Sequence, residues 1–332
     1  MRPKRLLLAI FLAAAIAPAT WLRSPEPARS HNLLVPLQKL ATPVSTVGQF
    51  QLVAAWQLDS EHEHFGGFSA LIAMPDGRFV AGTDGGRKLV FERPDKGKSM
   101  GVLSRLGSIK SQNKFSLDLE SLTIDPATGT VWGGYEMTNT LVRFSADLLP
   151  DEEVRPEEMS EWGSNSGPEA FTRLADGRFL AIEERADALG GGLHRAILFD
   201  GDPVEGSDAR ALVFEGLSKY RPVDMAPIGG GRALVLLRDF SLGLPPRFET
   251  ALALIDVDEV TNENRLPAQV IAEFGDRIPQ DNYEGMAITR DADGQHIWLI
   301  SDDNFMQFQR TLLLKLRWLP REKARGQTPH AH

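Results

Sequence analysis

A weak five-fold internal repeat limits what this chain can fold into more than any other feature. The copies read GGFSALIAMPDGRFVAGTD, LDLESLTIDPATGTVWGGYE, SGPEAFTRLADGRFLAIEE, RPVDMAPIGGGRALVLLRD and DNYEGMAITRDADGQHIWLISDD. They begin at Gly66, Leu117, Ser166, Arg221 and Asp281, spaced 51, 49, 55 and 60 residues apart. Each copy is an apolar run, a turn usually made by Asp-Gly or Gly-Gly, and a second apolar run. Asp-Gly between alternating hydrophobics is a strong local signal for a β-hairpin. Multi-strand repeats of roughly 40–50 residues are the mark of a β-propeller. A β-helix repeats at shorter spacing, and a β-sandwich gives no reason for five copies of one motif.

The expected fold is therefore all-β: a single propeller of five blades, with a sixth if the 240–280 region or the N-terminal linker hides a degenerate copy. Two further runs follow most hairpins and supply the outer strands, such as RKLVFER and KSMGVLSRLG after Asp84. The fourth run of the second copy is a poorly patterned acidic stretch, DEEVRPEEMSEW. The last copy is followed only by QRTLLLKLRWL, and an unassigned strand, QFQLVAAWQLD, precedes the first. The simplest closure has this N-terminal strand complete the last blade, which removes an open sheet edge.

The expected organisation is a signal peptide over 1–19, a linker over 20–46, the propeller over 47–319 and a disordered tail over 320–332. Arg2, Lys4 and Arg5 precede an apolar stretch from Leu6 to Ile16 and an A-x-A-like site at Ala17-Pro18-Ala19. Extended to Leu22, the stretch is short for a membrane span, so a stable span arises only if the signal is left uncut. The body is expected to be periplasmic or secreted. The net charge of −9 argues against nucleic acid and anionic membrane surfaces as partners. The absence of cysteine excludes disulfides, thiolate metal sites and cysteine nucleophiles.

Aligned on the hairpin, the first strands start with Ser69, Glu120, Glu169, Asp224 and Glu284. The second strands end with Asp84, Glu136, Glu184, Arg238 and Asp302. Both ends of a hairpin lie at the same edge of its sheet, so both rings should fall at one mouth of the channel. Crowded carboxylates repel, and their pKa values rise unless something compensates. Calcium takes oxygen ligands in flexible geometry and suits such a ring. The expected metal ligands are Glu120, Glu136, Glu169, Glu184, Asp224, Glu284 and Asp302. Glu169, Glu284 and Arg238 are the expected catalytic groups, with Arg238 gripping an anion. A competing reading makes the first-strand ring a set of structural caps that accept backbone N–H bonds. Arg238 could equally pair with Asp224 or Asp239.

Loops over the same mouth carry His62, His64, Lys110, Asn113, Lys114, Asn165, Arg185, Lys219, Arg221, Arg247, Asn304 and Arg310. Most read as solvated charges, and the His62-Glu63-His64 pair is weak evidence for a metal. Neither Ser69 nor Ser166 sits in G-x-S-x-G, and no Walker loop, dinucleotide fingerprint or H-E-x-x-H motif is present.

At LDLESLTIDPATGTVWGGYE, NSGPEAFTRLADGRFLAIEE and DNYEGMAI followed by WLISDDNFMQFQRTLLL, the chain resembles the bacterial phytase-like family, described by an esterase-like activity of phytase. The resemblance covers roughly residues 60–318. It implies an exported propeller that hydrolyses phosphate or other esters. It does not extend to histidine-acid phosphatases, since no R-H-G-x-R-x-P motif occurs. Ser69 and Arg238 depart from an evenly acidic pattern and count against a symmetric multi-calcium cluster. Three functions follow: a calcium-assisted hydrolase of a small-molecule ester, a non-catalytic propeller binding a ligand or envelope partner, and a lactonase-like calcium enzyme.

Overall fold

The structure is a computed structural model and describes residues 30–97, 99–106, 118–163, 166–185, 191–241, 243, 247–304, 306 and 309–319. The signal segment, the first ten residues of the expected linker and the tail lie outside these residues. So do Lys110, Asn113, Lys114 and Asn165.

The chain is all-β and propeller-like. Three N-terminal strands, β1 (Leu34–Leu40), β2 (Ser45–Val47) and β3 (Phe50–Leu58), precede the repeats. The first repeat forms β4 (Phe68–Ala73), β5 (Arg78–Thr83), β6 (Arg87–Glu92) and β7 (Met100–Arg105). The second forms β8 (Leu119–Ile124), β9 (Val131–Tyr135), β10 (Thr140–Phe144) and β11 (Pro150–Val154). The third forms β12 (Ala170–Arg173), β13 (Phe179–Ile182), β14 (Leu193–Phe199) and β15 (Ala209–Glu215). The fourth forms β16 (Arg221–Gly229), β17 (Arg232–Ser241), β18 (Arg247–Asp256), β19 (Arg265–Pro267) and β20 (Gln269–Glu273). The fifth forms β21 (Asn282–Asp291), β22 (Gly294–Asp302) and β23 (Thr311–Trp318).

Neighbouring strands within a repeat pair antiparallel, in the order β4-β5-β6-β7, β8-β9-β10-β11, β12-β13-β14-β15, β16-β17-β18-β20 and β21-β22-β23-β3. The N-terminal strand β3 lies against β23, with Leu58 opposite Thr311 and Phe50 opposite Trp318. The 240–280 segment supplies the outer strands of its own sheet, and its β19 adds in parallel to β15. The acidic stretch after Phe144 forms β11, whose backbone pairs with β10 although its side chains point to water.

One expectation is corrected. Much of the segment assigned to a linker is strand. β1 pairs with β3 and, across the seam between the last and first repeats, with β7. Its pattern explains this: Val35 and Leu37 alternate inward while Leu34 and Lys39 stay exposed. That is the period of a half-buried strand, and Pro36, among other prolines nearby, disguises it. Pro36 falls on the outermost pairing, where a missing N–H is tolerated.

Five apolar clusters lie between successive sheets. Leu119, Leu122 and Phe144 meet Ala70 and Val80. Trp132 and Leu141 meet Phe171 and Phe179. Leu180 and Phe214 meet Leu237 and Ala253. Leu236 and Leu252 meet Ile297 and Leu312. Trp298 and Leu313 meet Phe79 and Leu89. The first strands pack one against the next, β4 on β8, β8 on β12, β12 on β16, β16 on β21, and β21 back on β4. Gly285 marks how close this approach is, since a Cβ there would stand 2.8 Å from the Ala70 carbonyl carbon. Gly77, at φ +87°, closes the first hairpin in a conformation that L side chains rarely adopt.

Candidate functional site

The first strands share a local irregularity that sets the site. Pairing slips by one residue at Ser69 in β4, at Glu120 in β8 and at Glu284 in β21. A bulge re-aims one side chain and recurs beside functional sites. Here the bulged residues reach the mouth where the second strands end. Glu169, immediately before β12, reaches the same place. The result is a cavity of about 250 Å³ lined by Ser69, Asp84, Glu120, Glu169, Glu184, Arg238, Glu284, Asp302 and Asn304, with Gly67. Six carboxyls therefore face one guanidinium.

Arg238 is the hub of this wall. Its Nη1 donates to Asn282 Oδ1 at 2.9 Å and to Glu284, and its Nη2 donates to Glu184 Oε1 at 2.9 Å. Asn282 Nδ2 also donates to Glu284 Oε1 at 2.8 Å. Arg221 reaches the other oxygen of Glu184 at 3.2 Å. Arg238 thus pairs with Glu184 and Glu284, not with Asp224 or Asp239, the partners of the alternative structural reading. Burial opposes its charge, but Glu284, Glu169 and Glu184 together hold its pKa above the ordinary value.

One arginine does not neutralise the ring. Burial, with repulsion from Glu169, Glu284, Asp118 and Glu136, pushes Glu120 well above the carboxylate range. Burial and Glu184 do the same to Glu169, against the pull of Arg238. Burial and Glu284 raise Asp302. Burial carries Asp84 to about 6, and burial with Asp118 and Glu184 carries Glu136 to about 7. Burial also raises Glu284, where Arg238 and Asn282 pull the other way.

The structure brings Glu120, Glu169, Glu184, Glu284, Asp302 and Arg238 together around the cavity. Glu136 stands just beside it, with a carboxylate oxygen within 4.8 Å of oxygens from Asp118 and Glu120. Asp224 is not part of the site. In β16 the slipped residue is Val223, so Asp224 sits one position on, opposite Leu236. A one-residue slip turns a strand side chain to the other face. Asp224 is fully buried; its Oδ1 accepts from Met225 N at 2.7 Å and its Oδ2 from Met286 N at 2.5 Å. It is the capping carboxylate of the competing reading, tying the fourth sheet to the fifth. Ser121 does the corresponding job, donating to the Pro168 carbonyl at 2.7 Å. Asp224→Ala is expected to destabilise the chain by about 2–4 kcal/mol, because it strands two buried N–H groups. Chemical denaturation checks this, and unchanged stability in the variant would contradict the assignment.

The sequence reading passed over two residues. Asp118 and Asn282 both stand two positions before a bulged glutamate, and that shared spacing was the available signal. Of the loop residues, Lys219, Arg221 and Asn304 line cavities at this mouth. His62 is buried, and its Nδ1 accepts from His64 N at 3.1 Å. A second acidic group, Asp291 and Asp293 with His296, lies at the β21–β22 turn. There Arg93 grips Asp291 at 2.6 and 2.9 Å, and Lys315 stands 3.8 Å away. The bond to Arg93 pulls the Asp291 pKa down to about 2. That charge is compensated within the protein, whereas at the mouth Arg238 and Arg221 meet six carboxyls.

The family model described as "Phytase-like: Esterase-like activity of phytase" matches residues 63–305. The chain belongs to the phytase-like family. The matched span contains both rings and the bulged strands. No curated protein sequence matches the chain. Among solved structures it is similar to Kuenenia stuttgartiensis hydrazine synthase, at 10% identity and TM-score 0.39. That match covers 76% of this chain and 62% of the other, so the chain spans under two thirds of that relative's length. It is similar to a chain of a nidogen/laminin complex at 8% identity and TM-score 0.45, covering 86% and 98%. It is also similar to a hypothetical protein from Leishmania major at 10% identity and TM-score 0.44, covering 85% and 91%. Likenesses this distant assign no activity to this family member.

Proposed function

We propose that the chain is an exported, five-bladed propeller that hydrolyses phosphate or other esters with calcium held at its acidic mouth. The observation that carries this reading is the cavity itself, where six carboxyls line a solvent-open space with Arg238, and Arg221 reaches one of them. The blade count is supported by the ring of first strands and the five apolar clusters between sheets. Export is supported by the basic and apolar N-terminal segment. Among the described residues, no helix is long and apolar enough to cross a membrane.

The donor set fits a hard cation. Every candidate ligand is a carboxylate oxygen, and the ligands come from different sheets, as calcium's flexible coordination allows. Asp118, Glu120 and Glu136 form one close oxygen group. Glu169, Glu184, Glu284 and Asp302 surround the adjoining space. Bound calcium would neutralise the anionic oxygens of an ester and favour attack by water. The protein groups then divide the remaining work. Arg238 has five N–H donors, of which three are engaged by Asn282, Glu284 and Glu184. Its fork is held rigid where a substrate oxyanion would develop charge. Glu284 is anchored by Arg238 and Asn282. Glu169 stands among the carboxylates that would hold the cation, where, ionised, it can take the proton of an attacking water.

The test is an assay of the full chain on phosphomonoesters, carboxylic esters and lactones, with calcium and with chelator. Calcium-dependent turnover of a phosphate or carboxylic ester supports the reading. Turnover of lactones alone moves it to the lactonase-like alternative. Calcium binding with no turnover of any of the three leaves a binding propeller.

A further inference from the structure

The acidic cavity adjoins a larger one, of about 460 Å³, whose wall is unlike its own. Phe240, Phe248 and Met306 give it an apolar lining, and Lys219, Arg221 and Asp239 a charged one. Arg238 and Asn304 line both cavities, so the two adjoin. The apolar side has an evident structural origin. β17 runs three residues past Arg238, to Ser241, and pairs throughout with β18. Phe240 and Phe248 are direct cross-strand partners on this extension, with ring centroids 5.0 Å apart. Phe240 belongs to none of the buried clusters and is 48% exposed. A cross-strand aromatic pair helps to hold this extension of the sheet, but it leaves Phe240 half exposed, and an aromatic pair beside a charged site is suited to hold a flat apolar group. The cations near it are only partly spent. Lys219 pairs with Glu249, and Arg221 is half exposed while it touches Glu184.

We infer that this pocket is the recognition site for an anionic ester whose alcohol half is aromatic. The ring lies on Phe240 and Phe248, and the anionic oxygens lie between Arg221 and Arg238, facing the acidic cavity. The inference deepens the functional reading above and rests on it for the orientation of the ester. It accounts for a cationic and aromatic wall beside a ring of carboxylates, where a highly charged apolar-free substrate would need only the cations.

The test uses binding rather than turnover. Calorimetry on the full chain with calcium compares 1-naphthylmethylphosphonate, which is not a hydrolysable ester, with methylphosphonate. The aromatic ligand should bind at least about ten-fold tighter, the advantage expected from burying one ring. Phe240→Ala should remove most of that advantage without lowering the melting temperature, because Phe240 is half exposed. Phe248→Ala should do the same. Equal affinity for the two ligands, binding of neither, or an unchanged preference in both variants would overturn the inference. Aromatic preference in a chain that hydrolyses no ester would sink the hydrolase reading and leave the pocket standing. Ester turnover without aromatic preference would do the reverse.

Discussion

Glu169→Gln is expected to lower calcium-dependent ester turnover by about 10³-fold, the scale seen when a group acting directly on the transition state is removed. The substitution keeps shape while deleting a carboxylate charge that serves as ligand and base. Two consequences separate it from simple unfolding. Calcium affinity should fall, since one carboxylate leaves a shared oxygen set. Stability without calcium should not fall and should rise slightly near pH 8, because Glu169 is crowded by Glu184 there. Turnover and calcium binding both unchanged in Glu169→Gln would remove this residue from the mechanism.

Arg238→Met is expected to destabilise the calcium-free chain by about 3–5 kcal/mol near pH 8. Removing one partner of a buried ion pair leaves its charges uncompensated. Here Glu184 and Glu284 lose their shared donor at once. The loss should shrink as the pH falls. The raised carboxyls at the mouth, with Asp84 at about 6 and Glu136 at about 7, bind protons more tightly when folded than when unfolded. Their contribution is full below the unfolded values near 4 and fades as the pH climbs through the folded ones. The calcium-free wild type should therefore lose stability between about pH 4 and pH 7, and Arg238→Met should lose more. Denaturation across this pH range, with and without calcium, reads this directly. A variant as stable as the wild type at pH 8 would show that Arg238 does not hold the mouth together.

The fold was legible because the repeat is written in turns and alternation. Asp-Gly at Asp76-Gly77 and Asp176-Gly177, and Gly229-Gly230, place hairpins whatever lies around them. The pairing of β3 with β23 followed from counting strands. β1 was not legible, since its pairing with β7 is distant in sequence and Pro36 imitates a linker. The site was legible as two rings because both ends of a hairpin share one edge. What the sequence hid was register. A bulge adds one residue without a local signature, so aligning Asp224 with Glu120 and Glu284 put a buried cap among the expected ligands. Asp118 and Asn282 escaped because their role depends on the same bulges. The partners of Arg238 escaped because Glu184 and Glu284 belong to the neighbouring sheets, an adjacency that only the closed ring reveals.

The central claim is that the mouth carries charge which a cation is needed to balance. The direct measurement is the calcium content of the purified chain, together with its melting temperature at pH 8 before and after chelation. The account predicts at least one calcium per chain and a fall on chelation of several degrees, since calcium at about 100 times its Kd contributes about 2.7 kcal/mol. No bound calcium, with no change in melting temperature on chelation or on adding calcium back, would contradict it.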